Sequence, residues 1–514
     1  MLQIKKLTLT HRKDLRTLLR DFDLVLNPGD KAVVIGEEGN GKSSLLKWIY
    51  DPRLIEDYMD WSGERTDTGE KLGYLPQELP AALRDESVYG YFSGLPGFFD
   101  CPPRELASLA ARLSLPADVF YSDQRMGSLS GGEKVKLQMA GLLLQTPDVL
   151  LLDEPSNDID IETLEWLETL IRDGREAVLY ISHDEALIEA TANRVILLEQ
   201  LRRKTVPRYT VANMPFRRFM EERAAGFEKQ AQVAAGERRD EKKALERFRR
   251  IQQSVEHAQN TVSRGDPHGG RLLKKKMASV KAMEKRYERE HESLTEFPEF
   301  ESAIRVSFSD AAAIPRGKTV LEFALPELTS AGEDRRVLAR NVDLTVRGPE
   351  KVCIIGRNGA GKTTLLRLIY GAFSGREDVS VFYMPQDHGE LLDMEADPIS
   401  YLAPSGEKED VTRARTFLGS MKYTADEMAH PVSELSGGQR AKLLMLKMGF
   451  SGAGVLILDE PTRNFSPLSG PEIRQLIRGF PGAVIAISHD RKFIRESFDR
   501  VLRLTEAGLE PAEV

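Results

Sequence analysis

Cysteine is nearly absent from this chain, which has two, Cys101 and Cys353, in 514 residues. Two thiols cannot build a disulfide framework, and two isolated ones exclude a four-cysteine zinc site. Cys353 lies inside an apolar run, where core packing is its expected role. Long apolar runs are missing as well: no stretch reaches the roughly 18 consecutive apolar residues that a membrane helix needs. The opening, Met1-Leu2-Gln3-Ile4-Lys5-Lys6, is not followed by the apolar core of a signal peptide. A soluble protein of the cytoplasm is therefore expected. At 41 % hydrophobic residues there is still material for two large cores and a connector.

What the chain does hold is a repeat. Its first half carries Gly36-Glu37-Glu38-Gly39-Asn40-Gly41-Lys42-Ser43, Leu129-Ser130-Gly131-Gly132-Glu133, Asp153-Glu154-Pro155 and Ser182-His183-Asp184. The second half answers in the same order with Gly356 to Thr363, Leu435-Ser436-Gly437-Gly438-Gln439, Asp459-Glu460-Pro461 and Ser488-His489-Asp490. From Ser130 onward the offset is constant at 306 residues. One chain thus holds both halves of a two-site machine.

Each motif has a physical job. A GxxxxGK[ST] loop needs glycines because only a bare backbone can turn successive N–H groups inward onto phosphate oxygens. Lys42 and Lys362 would reach the β and γ phosphates, and the hydroxyls of Ser43 and Thr363 would hold Mg²⁺. The apolar runs Lys31 to Ile35 and Lys351 to Ile355 before the loops read as buried parallel strands. The residues after them read as helices whose N-termini favour anions. Val149 to Glu154 and Val455 to Glu460 are apolar runs that end in two carboxylates. The first acid, Asp153 or Asp459, would reach the metal, and the second, Glu154 or Glu460, would polarise an attacking water. His183 and His489 end further strands and would hold that water in line. Taken singly, an acid pair or a histidine at a strand end is more often structural. Eight motifs in matching order are not.

With these motifs the chain resembles the ATP-binding cassette (ABC) superfamily. The resemblance implies an α/β ATPase core, an antiparallel β-subdomain and a helical subdomain in each half. It also implies head-to-tail pairing, in which the glycine loop of one half and the Leu-Ser-Gly-Gly loop of the other enclose one ATP. Gly36, Gly39, Gly41, Lys42, Ser43 and Ser44 would share a nucleotide with Ser436, Gly437 and Gly438. Gly356, Gly359, Gly361, Lys362, Thr363 and Thr364 would share one with Ser130, Gly131 and Gly132. Gln77 and Gln386 match the family's glutamine loop, which senses metal and water. An adenine-stacking aromatic is not obvious, and His11 and Phe22 are the candidates in the first half.

Between the halves the charge changes sign. Residues 217–295 hold 20 Lys and Arg against 13 Asp and Glu, whereas the whole chain stands at −8. Leu245, Phe248, Ile251 and Val255 recur at near-helical spacing, as do Leu273, Met277, Val280 and Tyr287. Ser263 to Gly270 between them is rich in turn formers. Two antiparallel helices with a tip at about 262–272 follow. Arg264, Arg271, Lys274, Lys275, Lys276, Lys281, Lys285 and Arg286 then form a basic cluster near that tip. A charge run is usually a solvated helical face, but on a long arm of an acidic protein RNA is the better partner.

Two cassettes, no membrane domain and a basic helical linker resemble the ABC-F family of translation factors. That resemblance implies two tandem ABC-type P-loop ATPase domains, 1–200 and 301–514, joined by a long antiparallel α-helical linker, 201–300. It further implies binding to the exit-tRNA site of the ribosome in the ATP-bound closed state. The linker would reach peptidyl-tRNA or 23S rRNA, and hydrolysis would release the factor. Pairing within one chain makes a monomer sufficient. Ribosome protection against antibiotics and rescue of stalled ribosomes both remain open. The other readings are an ATPase subunit of a membrane transporter and a DNA-repair or chromosome ATPase.

Two departures from the family pattern stand out. Asn157-Asp158-Ile159-Asp160 is answered by Arg463-Asn464-Phe465-Ser466, so serine replaces the acid at position 466. Unequal hydrolysis at the two sites would follow, unless the neighbouring Asn464 makes the change neutral. The first half is longer by only about a dozen residues between its glycine loop and Ser130, so an extra arm there is short or absent.

Overall fold

The computed structural model describes residues 1–66, 69–201, 205–261, 274–283, 285, 308, 313–330 and 336–513. The first half runs β1 (Leu2–His11), β2 (Thr17–Leu26), β3 (Lys31–Ile35), β4 (Met59–Thr66), β5 (Leu72–Leu75), β6 (Val149–Asp153), β7 (Ala177–Ile181), β8 (Arg194–Gln200) and β9 (Val206–Ala212). The second runs β10 (Thr319–Thr329), β11 (Val337–Arg347), β12 (Lys351–Ile355), β13 (Val381–Met384), β14 (Val455–Asp459), β15 (Ala483–Ile487), β16 (Arg500–Thr505) and β17 (Gly508–Pro511).

Strands β3, β6 and β7 are buried at every position, as are β12, β14 and β15. Strands covered on both faces read as unbroken apolar runs, which is how the motif-bearing segments look. Each half builds a six-stranded sheet, ordered β5-β6-β7-β3-β8-β9 and β13-β14-β15-β12-β16-β17. Only the last pair in each is antiparallel. The glycine loops therefore leave the middle of their sheets at the carboxyl ends of β3 and β12, where open α/β sheets bind ligands. Asp153 pairs with Ile181 and Asp459 with Ile487 at the same edge. This is the α/β fold with two ABC-type cassettes that the motifs implied.

An antiparallel ribbon lies over each core: β2-β1-β4 in the first half and β10-β11 in the second. The extra residues of the first half are thus spent partly on β4, a third strand with no counterpart in the described part of the second ribbon. Residues 206–212, expected within the linker 201–300, form β9 instead, and the linker unit begins at Arg217. Tyr209 and Val211 pack on the core while Val206 and Arg208 alternate outward or to the rim, the two-residue period of an edge strand. The helical subdomain of the first half surrounds Val88, Phe92, Phe98 and Phe120.

The contacts divide the chain into two units, one made of Met1–Phe216 with Glu301–Val514 and the other of Arg217–Phe300. Both cassettes thus belong to a single unit. A helix of 46 residues, Phe216–Thr261, which from Arg217 onward belongs to the second unit, would span about 69 Å at 1.5 Å per residue. Residues 274–283 are helical as well, and Val280, Met277 and Met283 pack with Phe248 and Val255. Leu245 and Ile251, read from spacing as part of the same stripe, are exposed. The tip at 262–272, with Arg264, Arg271, Leu273, Arg286 and Tyr287, lies outside the described residues.

Candidate active site

The backbone delivers each functional group at a strand end or loop whose geometry is unusual. Gly41 and Gly361, the last glycines before Lys42 and Lys362, take φ of 87° and 93° and start the following helices from the left-handed region, which glycine tolerates. Glu154 and Glu460 also sit at φ 51°. A left-handed non-glycine residue stores roughly 1–3 kcal/mol of strain and is found where position matters more than ease. Ser130 and Ser436 cap the helices Gly131–Leu144 and Gly437–Phe450, each through a capping box with Glu133 or Gln439. Their side chains accept the amides of Glu133 and Gln439 and so fix the first turns of these helices.

The second half's glycine loop faces the first half's signature loop. A cavity of about 1070 Å³ is lined by Asn358, Gly359, Gly361, Lys362, Thr363 and Thr364, by Gln386, Asp459, Glu460 and His489, and from the other half by Ser130 and Gly131. It extends to Gln77, Glu154 and His183. Such a volume suits a nucleotide. Asn358 Nδ2 donates to the backbone carbonyl of Asp158 at 2.6 Å, and its N–H reaches Asp160 Oδ2 at 3.4 Å. Lys362 Nζ donates to Gly356 O at 2.8 Å and Arg357 O at 3.0 Å.

Three buried polar atoms at this site make no hydrogen bond: Asp459 Oδ2, Glu460 Oε1 and His489 Nδ1. Orphaned buried polar atoms cost free energy unless something else satisfies them. Thr363 already bonds Asp459, so a hydroxyl and a carboxylate stand together with acceptor capacity to spare. That donor set fits a magnesium ion bound with phosphate. Burial, and then the Asp459 charge, push Glu460 up to about 8 against the pull of Lys362. Burial and Lys362 hold His489 down near 4.

The first half's set is arranged differently. Ser43 Oγ donates to Asp153 Oδ1 at 2.8 Å, and the Tyr74 hydroxyl donates to Oδ2 at 3.2 Å. Gln77 Nε2 donates to Glu154 Oε2 at 3.0 Å, joined by Asn157 Nδ2. His183 Nε2 lies 3.1 Å from Glu154 Oε1, and its Nδ1 donates to the carbonyl of Phe465 in the other half. Burial opposes ionisation of Glu154, but His183, Lys42 and Asn157 outweigh it and hold the carboxyl at about 2. Equivalent glutamates are thus shifted in opposite directions. The serine substitution shows too: Ser466 and Asp160 each cap their own turn, at Leu468 N and Thr163 N, but only Asp160 has a second oxygen that reaches across to Asn358.

The strands expected at Lys31 to Ile35 and Lys351 to Ile355 form, and the glycine loops follow them into helices, but Phe22 cannot stack on a base. It is fully buried among the β-ribbon side chains and meets Tyr209 edge-on at 4.9 Å. Alternation in β2 was the signal that should have marked it as core. His11 bonds Asp14 at the ribbon's edge. Beside the second glycine loop the cavity wall includes Leu338 and Ser330, one aliphatic and one hydroxyl side chain that no motif announces. Lys274, Lys275, Lys276, Lys281 and Lys285 are exposed on the linker.

Comparison with known proteins agrees with this geometry. The profile of the ABC transporter family matches residues 19–157 and again 339–463. ABC transporter F family member 5 of Arabidopsis thaliana is 26 % identical over 96 % of this chain and 74 % of that protein. Ribosome protection protein VmlR of Bacillus subtilis is 27 % identical over 96 % and 85 %, and tylosin resistance ATP-binding protein TlrC of Streptomyces fradiae 27 % over 94 % and 94 %. A solved archaeal ribosome recycling factor, aABCE1, in complex with stalk protein aP1, superposes with a TM-score of 0.60 at 16 % identity, covering 98 % of this chain and 90 % of that one. At that identity the likeness is one of fold.

Proposed function

The chain belongs to the ABC transporter family of ATP-binding cassettes, in its F group, and from that premise we propose that it is a ribosome-associated ATPase whose two cassettes close on ATP. The observation that carries the reading is the shared cavity, in which Lys362 and Thr363 of one half face Ser130 and Gly131 of the other. Closure of the halves is then coupled to nucleotide, because neither half alone lines the whole cavity. No described helix is long and apolar enough to cross a membrane.

In this reading Lys362 neutralises the β and γ phosphates, and the signature amides of Gly131 and Gly132 approach the terminal phosphate from the opposite side. Bound Mg²⁺, held by Thr363 and Asp459 with Gln386 near it, would neutralise charge on the transferring group. Glu460 orients and deprotonates water, and His489 holds its position. Ser43, Asp153, Gln77, Glu154 and His183 are the equivalent set in the first half.

The ribosome as partner is supported by the similarity to the ribosome protection protein VmlR and by a linker that carries the exposed Lys274, Lys275 and Lys276 beyond a helix that would span about 69 Å at 1.5 Å per residue. ATP-bound closure fixes the cassettes at the exit-tRNA site, the linker contacts 23S rRNA or peptidyl-tRNA, and hydrolysis releases the factor. Backbone contacts dominate there, since side chains cannot read the narrow A-form major groove. A Glu154→Gln, Glu460→Gln double variant with ATP should co-sediment with ribosomes more than the parent does. Absence of ATP-dependent co-sedimentation rejects the proposal.

A further inference from the structure

The two glycine loops differ in charge where they face the opposite half. Glu37 and Glu38 occupy the positions of Arg357 and Asn358. An amide both donates and accepts, so Asn358 can bond the carbonyl of Asp158 across the halves. A carboxylate only accepts. Glu38 Oε2 instead takes the N–H of Gly438, in the first turn of the 14-residue helix Gly437–Phe450. Beside it, Glu37 Oε2 meets Lys442 Nζ of the same helix at 2.7 Å, the two side chains 14 % and 8 % exposed. A carboxylate pair from the glycine loop has therefore taken an amide and an ammonium that an anion between loop and signature would use.

A second, independent feature points the same way. In the first site Ser43, Tyr74, Gln77, Asn157 and His183 already satisfy Asp153 and Glu154. In the second site Asp459 Oδ2, Glu460 Oε1 and His489 Nδ1 are left without hydrogen bonds. The catalytic acids of the first site are thus paired within it and those of the second only in part, although Glu37 Oε1 in the first loop also lacks a hydrogen bond.

We infer that the site formed by Gly36 to Ser43 with Ser436 to Gly438 takes a nucleoside diphosphate and, with the halves apposed, excludes the terminal phosphate of a triphosphate, because Glu38 fills that phosphate's docking point. This rests on the ATPase reading above. The glycine-loop amides and Lys42 remain to hold α and β phosphates. A γ phosphate would have to displace one carboxylate from Gly438 while lying beside the other. Only the second site then binds and turns over ATP with the halves closed.

Binding stoichiometry on the full chain with Mg²⁺ tests this, by native mass spectrometry and titration calorimetry with ADP and with the β,γ-imido analogue of ATP. Two ADP but one analogue per chain are expected, with ADP at least tenfold tighter than the analogue at the first site. Glu38→Asn, which copies the second loop, should raise the analogue count to two, and Glu38→Gln should do the same if the first variant folds poorly. Two analogue molecules on the unaltered chain at affinities within about threefold of each other would overturn the inference, as would a count of one in both folded variants. A chain that takes up no analogue at all, or whose single bound analogue survives Lys362→Ala, would overturn the ATPase reading itself and the inference with it.

Discussion

The guanidinium of Arg474 forks onto the carboxylate of Glu185 across the two halves, Nη1 to Oε1 at 2.6 Å and Nη2 to Oε2 at 3.3 Å, with each side chain about 5–6 % exposed. Its neighbours repeat the polarity. Glu37–Lys442, Asp158–Arg463, Glu162–Arg357, Glu168–Arg491 and Glu189–Lys492 each take the acid from the first half and the base from the second. Two first halves brought together would meet acid against acid, so this face selects the unlike partner that the same chain supplies.

Removing one member of a buried pair strands the other, at a typical cost of about 3–5 kcal/mol. Arg474→Ala should therefore lower the thermal unfolding midpoint clearly, while Arg357→Ala, whose pair with Glu162 is exposed, should change it little. Scanning fluorimetry on the two variants checks the contrast. Equal shifts would mean that Arg474 is not stabilising the apposed halves. Light scattering should find the parent chain monomeric.

Asp184 and Asp490 are equivalent residues, each capping the helix that follows its histidine. Burial, then the charge of Asp184 and that of Glu185, raise Asp490 to about 7 against Arg474 and the Phe493 amide. Asp184 is raised by burial, Glu185 and Glu168, with Arg491 opposing. A carboxyl raised in the folded state keeps a proton that the unfolded chain loses near its ordinary value of about 3.9. Its contribution to stability is thus present at low pH and is lost as pH rises toward about 7. Asp490→Asn keeps the helix cap without the charge. The stability difference between parent and variant should shift against the parent from pH 5 to 7, by at most about 1.4 kcal/mol per unit, and level off above. Urea midpoints at five pH values measure it, and parallel curves would contradict the assignment.

Most of the catalytic frame was legible because its elements combine composition with fixed spacing. A glycine loop after a buried strand, and an acid pair ending another, leave few alternative folds, and the strands that carry them formed where expected. Long-range partners were not legible. Arg474 and Glu185 are 289 positions apart and look like ordinary surface charges on amphipathic helices. Glu38 looked like any variable residue inside a glycine motif, since its significance lies in Gly438 facing it. Leu245 and Ile251 kept helical spacing yet stayed exposed, because a linker helix packed on one slender partner has less apolar surface to cover than a helix in a globular core.

The opposite shifts of Glu154 and Glu460 carry a kinetic expectation. Glu154 is tied to Gln77, Asn157 and His183, whereas Glu460 has an acceptor oxygen without a hydrogen bond beside a cavity. Removing a general base that acts in turnover costs roughly 10²–10⁴ in rate. Glu460→Gln should lose at least a hundredfold in steady-state ATP hydrolysis, and Glu154→Gln less than about fivefold. Phosphate-release assays on the single variants decide it. Equal losses would indicate that both sites turn over.

The exposed lysines of the linker give a prediction in salt. Lys274, Lys275 and Lys276 are successive exposed residues of one helix, so they present charge around it rather than to a single carboxylate, an arrangement suited to a polyanion. Counterions released from phosphates make log affinity fall linearly with log salt, and about six neutralised phosphates cost on the order of a thousandfold between 50 and 200 mM. Replacing the three lysines by alanine should weaken ribosome binding by the ATP-locked double glutamine variant and reduce the salt slope by two to three. ATP hydrolysis without ribosomes should stay unchanged, because these residues lie far along the sequence from either glycine loop. A slope that survives the triple substitution would assign the lysines to solvation of the helix and leave the RNA contact to other residues.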